Sequence, residues 1–282
     1  MGAEDPADGT AGTPGDLALA WLRRVLYDSV MRIRLRLHLL LLFPLLLPLL
    51  AEDNLKFGEP ACAGPVLDKK FFVVCYDPAH KIPAWVGYAL TKEDSLKKAT
   101  SRQGSFHADA ALERGQRAEN ADYSHSGYDK GHMAPANDFT RSVEAMKSTF
   151  VLTNAVPQKH GLNGGQWAQL EKAVHELASA RGTVWVFSGP VFAGKTPMKT
   201  IGPDKVAVPT HTYKVVLCVH SNGDKEMFGF VLPNIDKPAS TMTSYTFSVD
   251  EVEKLTGLDF FASLPKAEET QLEKTVNTLP EE

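Results

Sequence analysis

Six short apolar segments most constrain the fold of this 282-residue chain. They are rich in β-branched and aromatic residues, and Gly, Pro, Asn or Asp bounds most of them, so each is predicted to be a strand. The predicted strands cover residues 71–76, 84–90, 149–154, 184–188, 212–219 and 227–232. Most of them are joined without the full helical crossover that parallel strands need. The pattern therefore predicts an α+β fold with a central, mostly antiparallel sheet and a few packed helices.

Three helices are predicted to pack on this sheet, over residues 141–147, 165–180 and 249–256. The second has an apolar stripe at helical spacing, which is typical of a helix with one face on a core. The stripe consists of Trp167, Leu170, Val174, Leu177 and Ala178. Glu171 falls at the edge of this stripe, where a carboxylate is costly unless a cation, a hydrogen-bond network or metal-bound water compensates its charge. Glu171 is therefore a candidate site residue.

The first 51 residues are predicted to precede the folded domain. Residues 1–30 start with a stretch of small and acidic residues that contains Gly and Pro, and we interpret them as a non-structural N-terminal extension. Residues 31–51 join three arginines to an apolar stretch broken by two prolines, which is typical of a signal peptide. The alternative is an uncleaved anchor, which the short run disfavours. We expect export to the periplasm or the extracellular medium, and no stable membrane association after cleavage.

One domain is predicted over residues 55–265, followed by a charged, flexible tail over 266–282. Cys62 and Cys75 could pair in an oxidising compartment, and the alternative is three reduced cysteines. Cys218 lies in the apolar run VVLCV and is predicted to be a buried free thiol. The formal net charge of −4 gives no sign of a globally basic surface, so any phosphate-binding surface must be local.

The stretch SGYDKGHMAPANDF, residues 126–139, places His132 among small residues and turn formers. An imidazole with its ordinary pKa of about 6.5 is mostly neutral above that pH and can take a proton from water. A strand histidine also has a purely structural interpretation. Asn163 precedes the helix of Glu171 and falls on the same side of it, although a helix N-cap is its alternative role. One amide oxygen, with waters held by a carboxylate, is enough for Mg²⁺, which keeps several of its waters.

Two blocks of sequence resemble a known family. GYDKGHMAPANDF resembles the signature of the DNA/RNA non-specific endonucleases, whose usual core is D-R-G-H followed by small residues. TNAVPQKHGLNGGQWAQLE resembles their downstream signature, and further similar blocks lie at 188–192, 208–216 and 256–261. The resemblance covers about residues 70–265. It implies a ββα-metal (His-Me finger) active-site motif set on the antiparallel sheet.

The resemblance also implies roles for individual residues. His132 would be the general base that activates water, and Arg102 would clamp the phosphate. Asn163 would be the direct ligand of a single Mg²⁺, with Mn²⁺ as an alternative ion, and Glu171 would hold waters of that metal. Asn154 would support the His132 region through hydrogen bonds.

Two positions depart from the family pattern. Lys130, in the catalytic motif, replaces the usual arginine, so it keeps the charge but loses the bidentate fork to phosphate. His175 stands where an arginine usually follows the glutamate by four residues. We expect His175 to contact the phosphate region, and its alternative is a solvated helix residue. Lys159 is expected to join a local basic groove for substrate, with solubility as its alternative role.

The sequence therefore predicts an exported, Mg²⁺-dependent, sugar-non-specific endonuclease that hydrolyses phosphodiester bonds in DNA and RNA. Two alternatives stay open. One is a nucleic-acid-binding protein on a catalytically decayed nuclease scaffold, and the other is a metal-dependent phosphodiesterase for small substrates. A homodimer also stays open as the assembly.

Overall fold

The computed structural model describes residues 53–194, 198–239 and 241–279. The predicted N-terminal extension and signal peptide, residues 1–30 and 31–51, lie outside the described residues. Within the described part of the chain, no helix has the length and apolar character needed to cross a membrane.

Eleven strands follow one another along the described chain. They are β1 (Val66–Asp68), β2 (Val73–Asp77), β3 (Ile82–Leu90), β4 (Asp129–His132), β5 (Ala155–Gln158), β6 (Gly182–Val191), β7 (Thr200–Ile201), β8 (Val206–Ala207), β9 (His211–His220), β10 (Lys225–Pro233) and β11 (Thr246–Phe247). Seven of them form the central sheet in the order β1-β2-β3-β6-β9-β10-β11, and every neighbouring pair is antiparallel. The pairs β4-β5 and β7-β8 form two separate two-stranded sheets. The predicted α+β fold with a central antiparallel sheet is confirmed.

In the described part of the chain, six α-helices accompany the strands. They are α1 (Lys92–Leu96), α2 (Asn120–Tyr123), α3 (Val143–Ser148), α4 (Ala168–Arg181), α5 (Val249–Thr256) and α6 (Lys266–Lys274). A π-helical turn, Leu162–Trp167, leads directly into α4. The three predicted helices are confirmed as α3, α4 and α5, with shifted ends for the first two.

Two of the predicted elements are wrong. Residues 149–154 are not a strand, because the chain forms a 3₁₀ turn at Leu152–Asn154, and strand β5 begins only afterwards. The Asn154 side chain donates to the carbonyl of Thr149 at 2.9 Å, a local bond that competes with sheet pairing. The predicted flexible tail instead begins with helix α6, because Leu272 packs against the core and gives this charged segment a buried side.

Apolar side chains cover both faces of the central sheet, which explains why its strands read as nearly continuous apolar runs. Successive strand residues alternate between faces, so in β9 Val216 and Cys218 belong to one core and Val215 and Leu217 to the other. Helix α4 packs on the first face, and α5 and α6 pack on the second.

Two of the cysteines are paired with each other, and the third is a free thiol. Cys62 and Cys75 form a disulfide with a Cα–Cα distance of 5.7 Å, which ties the N-terminal segment to strand β2. Cys218 is fully buried and free, as predicted.

Candidate active site

A two-stranded antiparallel sheet positions His132 beneath helix α4. Strands β4 and β5 pair antiparallel, with His132 opposite Ala155. Gly131 is required in this small sheet, because a Cβ there would lie 1.9 Å from Oε1 of the buried Gln158 side chain. The indole Nε1 of Trp167 donates to the His132 carbonyl at 3.1 Å. This bond joins the end of β4 to the turn that begins the helix.

The His132 imidazole is enclosed by aromatic rings. It lies 4.5 Å from the Phe106 ring and 4.9 Å from the Phe150 ring, and the residue is only 7% exposed. Burial, assisted by the charge of Arg102, lowers the pKa of His132 from its usual value to about 3. Its Nε2 atom is buried and has no hydrogen-bond partner among the described residues. The imidazole is therefore neutral at physiological pH, with one ring nitrogen uncommitted.

Asn154 fixes the chain segment that follows His132. Its side chain accepts from the Ala134 amide at 2.8 Å and donates to the Ala134 carbonyl at 2.9 Å. Its own carbonyl accepts from the Met133 amide at 2.9 Å. Asn154 is fully buried, so it acts through the backbone and lies outside the cleft.

Asn163, in the π-helical turn, is oriented by Asp129 at the start of β4. Its Nδ2 donates to Asp129 Oδ2 at 3.0 Å, which leaves Oδ1 as the acceptor. The same carboxylate oxygen lies 2.9 Å from Nδ1 of the exposed His160 side chain. Asn163 is thus held by a carboxylate and does not serve as an N-cap, the alternative that its position before the helix had suggested.

Glu171 lies on the first full turn of α4 above a buried lysine, Lys214. The alternation of β9 puts Lys214 on the same face of the sheet as α4, and the lysine is fully buried. Its Nζ donates to Oγ of Ser188, the residue paired opposite it, at 2.8 Å and lies 4.6 Å from the Trp167 ring. Burial raises the pKa of Glu171, and the charge of Lys214 opposes this shift. Burial likewise lowers the pKa of Lys214, and Glu171 opposes that shift.

A cleft of about 220 Å³ brings most of the predicted site residues together. Its predicted members are Arg102, Lys130, His132, Asn163 and Glu171. The other residues that line it are Pro135, Ala136, Asn137 and Ala168. A second cleft of about 590 Å³ shares Arg102, Asn137 and Glu171 and extends along α4 to His175. The cleft with His132 is the candidate active site, and the second cleft continues it as a groove.

The two cations of the cleft are held differently. The Lys130 ammonium lies 5.9 Å from the Phe106 ring and 5.6 Å from the Tyr123 ring, and partial burial lowers its pKa. Arg102 lies in an exposed loop, with its guanidinium 5.3 Å from the Phe150 ring. Aromatic rings thus orient both positive charges at the edge of the cleft.

His175 is engaged by a buried carboxylate. Its Nδ1 lies 2.8 Å from Oδ1 of Asp138, which is 1% exposed and also accepts from the Tyr88 hydroxyl at 2.7 Å. The hydrogen bond to Asp138 raises the pKa of His175, although partial burial opposes it. His175 therefore lines the groove but is not the solvated helix residue of the alternative interpretation.

Lys159 lies outside both clefts. Its Nζ is 3.2 Å from Asp236 Oδ2 and 4.8 Å from the Tyr128 ring. Of the eight predicted site residues, the structure thus places Lys159 apart and Asn154 behind the cleft.

The donor set of the cleft fits a hard divalent cation. Glu171 Oε1 is buried and, within the described part of the chain, has no hydrogen-bond partner. Asn163 offers Oδ1, because Asp129 holds its amide nitrogen. An amide oxygen and a carboxylate are ligands that Mg²⁺ and Mn²⁺ accept, whereas zinc sites usually use Cys or His.

The sequence patterns do not give the roles of three residues that shape the site. Asp129 is in the quoted motif, next to Lys130, but its target lies 34 positions away. Lys214 is a charged residue in an apolar strand run, and that is the one signal that could have indicated a buried partner. Asp138, whose partners are 50 and 37 positions away, gives no such signal.

The stretch GPVFAGKT at 189–196 has the spacing of a phosphate-binding P-loop. A P-loop follows a strand and opens a helix. Here the first three residues belong to strand β6, and the next element that the structure describes is strand β7. The context of a P-loop is therefore missing from the described residues.

Comparison with known proteins gives consistent matches. A family model described as DNA/RNA non-specific endonuclease matches residues 50–267. Nuclease C1 of Cunninghamella echinulata var. echinulata is 36% identical over 226 residues, which cover 76% of this chain and 89% of that protein. Mitochondrial endonuclease G of Homo sapiens is 34% identical over 219 residues, which cover 74% of this chain and 73% of that protein.

One mitochondrial relative is matched over about two thirds of its length. Mitochondrial nuclease EXOG of Danio rerio is 36% identical over 231 residues, which cover 77% of this chain and 66% of that protein. Among solved structures, a chain of the EndoG/EndoGI complex matches with a TM-score of 0.72 at 31% identity. That match covers 76% of this chain and 92% of the solved chain.

Proposed function

The chain belongs to the DNA/RNA non-specific endonuclease family, and we propose that it is a Mg²⁺-dependent endonuclease that hydrolyses phosphodiester bonds in both DNA and RNA. The observation that carries the proposal is the meeting of three groups in one cleft. They are Nε2 of His132, Oδ1 of Asn163 and Oε1 of Glu171, and the first and third have no hydrogen-bond partner in the part of the chain that the structure describes. Binding alone requires no such combination of an uncommitted base and two oxygen donors.

His132 is proposed as the general base. Its lowered pKa keeps the imidazole neutral, and Nε2 is the atom that would take the proton from the attacking water. The Phe106 and Phe150 rings restrict the imidazole, and Asn154 and Trp167 fix the backbone around it. We propose that strands β4 and β5 and helix α4 form the ββα-metal motif in this arrangement.

Asn163 and Glu171 are proposed to hold the metal ion. Asn163 would be the direct ligand through Oδ1, and Glu171 would hold water molecules of the ion. A bound divalent ion would neutralise charge on the phosphate and stabilise the leaving oxygen. Asp129 positions Asn163, and Lys214 limits the cost of ionising Glu171.

Arg102 and Lys130 are proposed to bind the non-bridging phosphate oxygens. Both line the cleft, and each charge is oriented by an aromatic ring. Lys130 supplies a point charge in place of a bidentate fork, so we propose an altered phosphate affinity and not an inactive enzyme. Phosphate contacts are electrostatic, so cleavage should be salt-sensitive. They also carry no sequence information, so cleavage should be poorly sequence-selective.

His175 is proposed to continue the phosphate path along the groove. Its Nδ1 is taken by Asp138, which leaves Nε2 for a substrate contact. The raised pKa favours the protonated, cationic form of this histidine near neutral pH. Lys159 is proposed only as an outer contact, because Asp236 already pairs with it.

Degradation of plasmid DNA and of a defined RNA tests the proposal. We expect both polymers to be cut with Mg²⁺ or Mn²⁺, and a chelator to abolish cutting. A small bis-aryl phosphodiester should be a poor substrate, because it cannot occupy the groove beyond the cleft. Retention of DNA in a gel shift without turnover at saturating Mg²⁺ would overturn the proposal, as would hydrolysis of the small diester in preference to DNA.

We also propose that the protein is exported. The basic and apolar stretch at 31–51 and the Cys62–Cys75 disulfide support this, since disulfides persist in oxidising compartments. Fractionation of the source cells, with mass spectrometry of the mature N-terminus, tests it. An uncleaved chain with free Cys62 and Cys75 in the cytosol would contradict it.

A further inference from the structure

Five carboxylates converge where helix α6 meets helix α5 and the loop between them. They are Asp250, Glu253, Asp259, Glu269 and Glu273. They form two groups that share Glu273, and in each group the candidate ligand oxygens lie within 4.8 Å of one another. One group adds Asp250 and Glu253 from α5, and the other adds Asp259 from the loop and Glu269 from α6.

Two of these carboxylates are buried and incompletely satisfied. Glu269 is 1% exposed and Glu273 is 5% exposed. Their Oε1 atoms are buried and find no hydrogen-bond partner among residues 53–194, 198–239 and 241–279. Lys266 lies 2.8 Å from Glu269 Oε2, but its side chain is 77% exposed, so solvent screens this pair. Buried carboxylates without a matching cation are strongly unfavourable.

The charges within the cluster also repel one another. Glu253 and Glu273 belong to one group, so their candidate ligand oxygens lie within 4.8 Å of each other. Glu269 and Glu273 are neighbours in the same way in the other group. The Phe260 amide donates a hydrogen bond to Glu253 Oε1 at 2.8 Å, which satisfies only one carboxylate oxygen of the cluster. Among the described residues, the exposed Lys266 therefore leaves the negative charge of this cluster largely unbalanced.

We propose that these carboxylates form a second metal site, which holds a hard divalent cation of the calcium class and joins helix α6 to helix α5. Calcium accepts six to eight oxygen ligands at about 2.3–2.6 Å in irregular geometry, so two of its ligands are at most about 5 Å apart. The 4.8 Å limit within each carboxylate group meets this condition.

This site is separate from the candidate active site. Helices α5 and α6 pack on the face of the central sheet opposite to α4, and the cleft with His132 contains none of the five carboxylates. The cation would stabilise the C-terminal helix without contributing to hydrolysis.

Calcium binding to the full-length protein tests the proposal. An Asn163→Ala background removes the ligand proposed for the active-site metal, so that any remaining binding reports on the second site. In this background, millimolar Ca²⁺ should raise Tm by at least about 3 °C, and calorimetry should detect binding. Adding Glu273→Gln should weaken Ca²⁺ binding at least about tenfold and remove the Tm shift.

Glu268→Gln is the matched control. Glu268 is on the same helix and loses the same charge, but it pairs with Lys225 outside both carboxylate groups. Its Ca²⁺-dependent Tm shift should stay unchanged. Glu253→Gln provides a second test if Glu273→Gln fails to fold. No Ca²⁺ response in the Asn163→Ala protein would overturn the proposal, as would an equal response in Glu273→Gln or Glu253→Gln.

Discussion

The contact between Asp129 and Asn163 gives a sharp prediction for Asp129→Ala. The carboxylate accepts a hydrogen bond from Asn163 Nδ2 at 3.0 Å, which leaves the Oδ1 end of the amide available to a metal. A hydrogen bond to a charged group contributes about 1.5–3 kcal/mol. Without the hydrogen bond to Asp129, metal binding itself must orient the Asn163 amide, so metal affinity should fall by about 10- to 150-fold. The rate at saturating metal should change much less, because Asp129 contacts none of the groups proposed to react.

The assay is the Mg²⁺ dependence of DNA cleavage, together with calorimetric titration of Mg²⁺ or Mn²⁺. His160→Ala is the matched control, because it removes the other partner of Asp129 and leaves the bond to Asn163 in place. His160 is 86% exposed, so this change should alter metal affinity less than about threefold. An unchanged half-saturating metal concentration in Asp129→Ala would refute the reasoning. So would a rate loss that saturating metal cannot restore.

Three further changes have predicted outcomes. Because burial raises the pKa of Glu171, protons should compete with the metal for its carboxylate. Calorimetry should show that Mg²⁺ affinity falls up to about tenfold per pH unit as pH drops from about 8 to 5.5. A constant affinity over this range would contradict the prediction. His175→Ala should destabilise the fold by about 1.5–3 kcal/mol, since it deprives buried Asp138 of a partner. Because the pKa of His175 is raised in the folded state, this loss of stability should be largest below about pH 6.5 and should shrink as pH rises through the folded-state pKa. Urea unfolding measures the loss, and a larger loss at alkaline pH would contradict the prediction. Reduction of Cys62–Cys75 should cost about 2–4 kcal/mol in the same assay, and an unchanged unfolding midpoint would be inconsistent with the bond.

The strands and the main helix could be predicted because their signals are local. Apolar runs bounded by turn residues fix the central strands, and the stripe from Trp167 to Ala178 fixes α4. The segment at 149–154 has the apolar residues of a strand, but Asn154 forms local hydrogen bonds that produce a 3₁₀ turn. The charged segment after residue 265 forms a helix with few apolar residues, so its periodic signal in the sequence is weak.

Residues of the candidate site could be predicted from the sequence only where they belong to a recognised motif. The sequence alone predicts the ordinary histidine pKa of about 6.5 for His132, but burial among aromatic rings lowers this pKa to about 3. No sequence pattern reports that enclosure, because Phe106 and Phe150 are distant in sequence from His132 and from each other. The same holds for Lys214 beneath Glu171, which strand alternation places there only once the sheet register is known.

The rate of DNA and RNA cleavage by His132→Ala at saturating Mg²⁺ tests the central claim most directly. His132 is proposed to take the proton from water and not to hold the metal. The variant should therefore lose about 10²- to 10⁴-fold in kcat on both polymers, while its calorimetric Mg²⁺ affinity stays within about threefold of the wild-type value. Undiminished cleavage by His132→Ala would contradict the account, and so would a loss fully explained by weaker Mg²⁺ binding.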